Sequence, residues 1–203
     1  MGSMPRRTAW TAAVMAVAVA GLAAAGQTLT KTDADNLEHK VAAVVARAAV
    51  TDPEARPLRT LITDREVNAY FRYQGAAQLP VGVVNPTLAI LDAGRVSAMA
   101  TVDLDAVRRS KERGWTDPLS YVTGTVDVIA VGRVRGANGK GVVDLESATL
   151  AGVPIPKSLL QEIVSFYTRT PESPGGFSMD QPFDLPQKIR QVDLQRGSAV
   201  IVQ

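Results

Sequence analysis

The chain predicts an α+β domain built on a long, strongly curved antiparallel sheet. Three observations carry that expectation. Apolar residues at helical spacing occur in three separated stretches. Between the second and third lie strand candidates of ~10–16 residues, long against a usual ~5–6. Hairpin turns join those strands, and Gly124 and Gly132 lie within one of them, where glycine marks a bend or bulge.

The first 25 residues stand apart. Arg6 and Arg7 precede an uncharged, Ala/Val-rich run from Thr8 to Ala25 that closes on Ala23-Ala24-Ala25. A positive region, an apolar region and a small-residue site make an export signal. The run of about 18 residues also approaches the ~20 that cross a bilayer, so a cleaved signal peptide and a retained N-terminal anchor both remain open. In either case the two arginines stay on the cytoplasmic side and the rest is exported to the periplasm or another extracytoplasmic space. The expected organisation is 1–25 as signal or anchor, 26–57 as a helix and linker, and 58–203 as the main α+β domain.

The elements follow in order. Thr32 to Val50 reads as a helix, with Thr32 and Asp35 at capping-box spacing and Leu37, Val41, Val44, Val45 and Ala48 on one stripe. Leu58–Ile62 reads as a short strand. Thr63-Asp-Arg-Glu66 is a capping box that opens a helix from Asp64 to about Tyr73, with Val67, Tyr70 and Phe71 on one face. Thr87–Leu91 and Arg95–Leu104 form a hairpin around Asp92-Ala-Gly94. Ser120–Arg135 is a long strand, turned at Gly136-Ala-Asn-Gly139 into Lys140–Leu150. Pro154-Ile-Pro156 leads into a third helix, Lys157 to about Tyr167, whose apolar residues form a wide stripe. Lys188–Leu194 and Ser198–Val202 close the chain as a hairpin around Gln195-Arg-Gly197.

Composition narrows the function. The chain has 22 basic and 20 acidic residues, and Arg6 and Arg7 account for the difference. Without a basic excess in the exported part, nucleic acid is not the expected partner. There is no cysteine, which excludes disulfides, a thiolate nucleophile, a Cys-ligated metal and a lipobox-type lipid anchor. His39 is the only histidine and falls in the polar register of the first helix, so neither a Ser-His-Asp triad nor a zinc site is expected. Asp103 with Asp105, Asp144 with Glu146, and Asp127 are the carboxylates that a hydrolase would draw on. The plainer reading makes them solvent-facing strand and loop positions. Gly136-Ala-Asn-Gly-Lys-Gly141 precedes a strand rather than opening a helix, which makes it a turn and not a phosphate loop. No cofactor is expected. Arg108, Arg109, Lys111, Arg113 and Trp115 form a basic stretch ending in tryptophan, suited to an anionic membrane surface.

The segment Leu61-Ile-Thr-Asp-Arg-Glu-Val-Asn-Ala-Tyr-Phe71 resembles the opening of exported bacterial domains in the tubular lipid-binding (BPI/SMP-like) superfamily. The small YpmS-like and mannan-associated periplasmic lipid binders are the relatives it is similar to. The later order is also similar: a hairpin, two long strands, Gly152-Val-Pro-Ile-Pro156 before an apolar helix, then Pro182-Phe-Asp-Leu-Pro186 and a terminal hairpin. The resemblance runs from Leu58 to Gln203. It implies a curved sheet wrapped around amphipathic helices, an apolar groove for acyl chains, and no catalytic motif.

The expected function is therefore a non-catalytic lipid or amphiphile binder of the cell envelope. Groove candidates are Val67, Tyr70 and Phe71 on the second helix, Val126, Val128 and Ile129 on the long strand, and Leu160, Ile163, Val164 and Tyr167 on the third helix. The alternative is an envelope protein-interaction or assembly module with a packed core. Oligomeric state is not legible in the sequence.

Overall fold

The computed structural model describes residues 28–50, 56–92, 94–109, 123–167, 174–176, 178–179 and 181–203. The apolar N-terminal stretch and Lys111, Arg113, Trp115 and Tyr121 lie outside the described residues, as does the side chain of Tyr167. Among the described residues no helix is long and apolar enough to cross a membrane.

Helix α1 is Lys31–Ala48, and its cap is Thr30, not Thr32. Thr30 and Thr32 both precede an aspartate by three residues. Tertiary contact selects the first: Arg65 grips Asp33 at 3.0 Å, and Asp33 in turn accepts the Thr30 backbone N–H at 2.9 Å. Ala34, Leu37 and Val44 are buried, whereas Val41 and Val45 stay 47% and 48% exposed. The apolar stripe read from the sequence is thus wider than the face that packs.

Strand β1 (Arg59–Thr63) leads directly into α2 (Asp64–Tyr73). The expected capping box is present. Thr63 Oγ1 accepts the Glu66 N–H at 3.2 Å, and Glu66 Oε2 accepts the Thr63 N–H at 2.9 Å. Thr63→Ala should cost about 1 kcal/mol, read as a lowered urea midpoint.

Glu66 also receives Lys40 of α1 at 2.6 Å, so one carboxylate ties the cap of α2 to the neighbouring helix. Burial pushes the Glu66 carboxyl up, but the Lys40 ammonium and the Thr63 donors outweigh it and hold the group below the usual value of 4.5. A depressed carboxylate stabilises the fold above its unfolded pKa and loses that contribution as pH falls through the folded one. Stability should therefore be flat from neutral pH down to about 5 and decline below 4.5. In Glu66→Gln that acid-side decline should be shallower in a pH series of denaturation midpoints.

The remaining elements are β2 (Val83–Ile90), β3 (Arg95–Asp103), α3 (Leu104–Arg109), β4 (Thr125–Ala137), β5 (Lys140–Leu150), β6 (Val153–Pro154), α4 (Lys157–Tyr167), β7 (Phe183–Asp184), β8 (Gln191–Gln195) and β9 (Ser198–Val202). They build an α+β fold around one unclosed nine-stranded sheet, ordered β1-β9-β8-β4-β3-β2, with β5 on β4 and the short β6 and β7 on β5. Every strand pairing among the described residues is antiparallel.

The organising strand is β4. One edge pairs with β5; the other pairs with β3 along Thr125–Arg133 and then with β8 at Gly136. A Cβ on Gly136 would lie 2.9 Å from the Val192 side chain, so glycine is what lets β8 approach. The β2–β3 and β8–β9 hairpins thus lie end to end along β4, joined where the Gly197 N–H donates to the Ile90 carbonyl at 2.8 Å.

Several boundaries differ from the sequence reading. Strand β2 begins at Val83 rather than Thr87, because a register shift between Val84 and Thr87, with Asn85 at φ 48°, lets the pairing continue past Pro86. Leu104 does not end a strand. It is 3% exposed at the start of α3, where Asp103 accepts the Ala106 N–H at 2.9 Å. Strand β4 begins after the bend at Gly124 (φ 84°) and runs to Ala137. Strand β8 begins at Gln191 rather than Lys188, since Gln187 and Lys188 both hold φ 54°, outside the extended region.

Candidate functional site

Alternation along β4 separates two faces. Val126, Val128, Ala130, Gly132, Val134 and Gly136 share one; Asp127, Ile129, Arg133 and Arg135 share the other and are exposed. The register extends the apolar face across the sheet. Val83, Val102 and Val126 form one row, Ala100, Val128 and Leu150 the next, then Ala98, Ala130 and Ala148, then Ile90, Val96, Gly132 and Leu145. Among the described residues no large side chain is fully enclosed, and Val126, Val128 and Ala130 are only half-buried.

The helices reach the margins of this region. Helix α2 packs on β2, and α4 packs on β5. Val67, Tyr70 and Phe71 are half-buried on the first; Leu160, Ile163 and Val164 are half-buried on the second. Val126 and Val128 lie on the strand between. Ile129 does not join them: it faces the opposite side, 39% exposed, with Met99 as its cross-strand partner. Adjacent strand residues point oppositely, so Val128 and Ile129 never line one face.

Two fastenings hold α2 to the free edge of β2. The Asn68 side chain donates Nδ2 to the Leu88 carbonyl at 2.8 Å and accepts the Leu88 N–H at 2.7 Å. It replaces a neighbouring strand at that residue. Asp64 accepts the Ile90 N–H at 3.4 Å. At the far end of the apolar face a Cβ on Gly141 would meet Phe183 at 2.7 Å and Leu185 at 2.9 Å. The Pro182–Pro186 segment therefore lies hard against β5 beside the β4–β5 hairpin.

The carboxylates that a hydrolase would need are engaged structurally. Asp105 accepts the Gly124 N–H at 3.1 Å and Arg108 at 2.5 Å. Asp127 accepts the Thr101 hydroxyl at 2.8 Å on the exposed face, rather than lying on a covered one. Asp144 meets Lys157 at 3.2 Å. Glu146 is the extra residue of a bulge opposite Val131 and Gly132, and it bridges Arg95 and Arg133 at 2.7 Å each. The Arg133 hydrogen bond, opposed by partial desolvation and reinforced by Arg95, holds the Glu146 carboxyl below its ordinary range. Arg95 and Arg133 are direct cross-strand partners, so the carboxylate also relieves their repulsion.

His39 is exposed, and among the described residues no group of three metal-ligating side chains occurs. Of the basic stretch, Arg108 pairs with Asp105, and Arg109 lies 4.0 Å from Asp103.

The chain matches no family model, no curated protein and no solved structure. The functional reading therefore rests on the apolar face itself. Its central residues, Ala98, Ala130 and Ala148, are not among the groove candidates read from sequence: alternation places Ala98 and Ala130 on the apolar faces of their own strands, but only register aligns them with Ala148.

Proposed function

We propose that this protein is an exported, non-catalytic binder of a lipid or other amphiphile, and that the apolar chain of its ligand lies on the sheet face of Val126, Val128 and Ala130, between α2 and α4. The supporting observation is that Val126, Val128 and Ala130 stay half-exposed on this face, although Ile90 and Ala148 on the same rows are buried, while the two helices rest at its margins. An acyl chain gains about 0.8 kcal/mol for each CH₂ that it buries, which such a face offers along several strands. Curvature of the long strands around the helices would deepen the face into a groove, as the resemblance to tubular lipid binders implies.

A second reading has its own observation. On the reverse of the same strands Val84, Met99 and Ile129 are 44%, 46% and 39% exposed, a surface suited to a protein partner in envelope assembly.

Native mass spectrometry of the purified protein, followed by organic extraction, separates the two. Co-purifying or absorbed lipid is the expected result; a clean mass with no uptake favours the assembly module. Ala130→Trp sharpens the test. On a ligand-bearing face it should abolish uptake with the denaturation midpoint nearly kept. In a packed core it should overpack and cost ~1–3 kcal/mol, with no uptake by the parent.

A further inference from the structure

The apolar stretch Thr8–Ala25 ends three residues before Thr28, with Gly26 and Gln27 between. At most ~3.6 Å per residue, that connection spans ~11 Å. The folded body begins at once on the far side of it. The Thr28 carbonyl accepts Arg65 at 3.2 Å, and the Leu29 carbonyl accepts the Tyr73 hydroxyl at 2.9 Å. Both donors belong to α2, so the chain is fastened to the body as soon as it leaves the apolar stretch.

The corner where it is fastened has interfacial chemistry. Tyr73 is 38% exposed, and the exposed Arg72 guanidinium lies 5.7 Å from its ring centroid. Lys31 is exposed at the start of α1. Of the nearby acids, Asp33 is paired with Arg65, while Asp35 accepts the neutral Gln74 amide at 2.6 Å and keeps its charge, so Lys31 and Arg72 leave the corner with a net positive balance. A tyrosine with flanking cations is the combination that settles at headgroup level, the ring in the boundary and the charges on anionic lipid.

We propose that the full chain works seated on an anionic bilayer, not hanging from a tether: Thr8–Ala25 is retained in the membrane, and the start of α1 and end of α2, carrying Lys31, Arg72 and Tyr73, rest in the headgroup layer. This holds whether or not the sheet takes up lipid.

The absence of native cysteine makes the test direct. Lys31→Cys, Arg72→Cys and Ala137→Cys, the last at the exposed β4 hairpin end, are each labelled with an environment-sensitive dye in the full chain. The chain is reconstituted in phosphatidylcholine–phosphatidylglycerol vesicles carrying headgroup nitroxide. Probes at 31 and 72 should shift to the blue and be quenched, whereas the probe at 137 should not. A long Gly/Ser-rich insertion between Gly26 and Gln27 should weaken the quenching at 31 and 72. Equal quenching at all three sites overturns the proposal. So does recovery from cells of a chain that begins at Gly26, because nothing then holds the corner to the membrane. Lipid uptake measured on the same samples reports on the carrier reading separately.

Discussion

Gly82→Ala should lower stability by about 3 kcal/mol, combining a strained backbone conformation with an overpacked contact. Gly82 sits at φ +84°, where a side chain is disfavoured. A Cβ there would also lie 2.6 Å from the Asp103 carbonyl and 2.5 Å from Val107. The carbonyl is backbone and cannot swing aside, because the Leu104 N–H of the same peptide donates to the Gly124 carbonyl at 2.9 Å, and the adjoining Asp103 N–H donates to the Gly82 carbonyl at 2.7 Å. The strain would reach the start of β2 and the β3–α3 corner together. Gly152→Ala is the internal control. Its φ is +79°, yet nothing lies within 4 Å of the added Cβ. That variant should carry the backbone cost alone, about 1 kcal/mol. Urea denaturation followed by circular dichroism measures both. Equal midpoints for the two variants would mean that the Gly82 turn does not approach β3 as described.

Asn68→Ala should cost about 2–3 kcal/mol, since two backbone groups of one residue lose their partner together. Leu88 lies on the free edge of β2, and the Asn68 amide alone supplies both its missing donor and its missing acceptor. Hydrogen exchange gives a residue-level readout. The Leu88 amide should exchange much faster in the variant, while amides in the β4–β5 ladder keep their protection. Asn68→Asp retains an acceptor for the Leu88 N–H but sets a carboxylate against the Leu88 carbonyl, so it should not rescue. Unchanged exchange at Leu88 would show that water or another group already serves that edge. The same fastening bears on the proposed ligand face, because it sets how closely Val67 and Phe71 approach the sheet.

Several elements with strong local signals stand where they were expected. The Thr63–Glu66 box, the bounds of α2, the helix Lys157–Tyr167, the strand Lys140–Leu150 and the closing strand Ser198–Val202 all stand where the sequence places them. Each depends on residues within one turn or one hairpin: a cap and its glutamate, a proline before a helix, Asn138 and Gly139 holding φ 53° and 74° in a tight turn. Such signals need no knowledge of the rest of the chain.

Only the tertiary structure decided the rest, and always through partners distant in sequence. The choice of Thr30 over Thr32 as cap depends on Arg65, more than thirty residues away. The exposure of Val41 and Val45 depends on how narrowly α1 meets its neighbours. Register across β3, β4 and β5 aligned Ala98, Ala130 and Ala148, set Glu146 in a bulge between two arginines, and sent Ile129 away from Val126 and Val128. A strand's composition makes it apolar on one face or both, but which neighbours share that face is settled by pairing energy summed over the whole sheet. The sequence by itself determined an α+β chain with an apolar N-terminal stretch, no cysteine and long antiparallel strands. The fold decided where that apolar surface collects and how much of it remains uncovered.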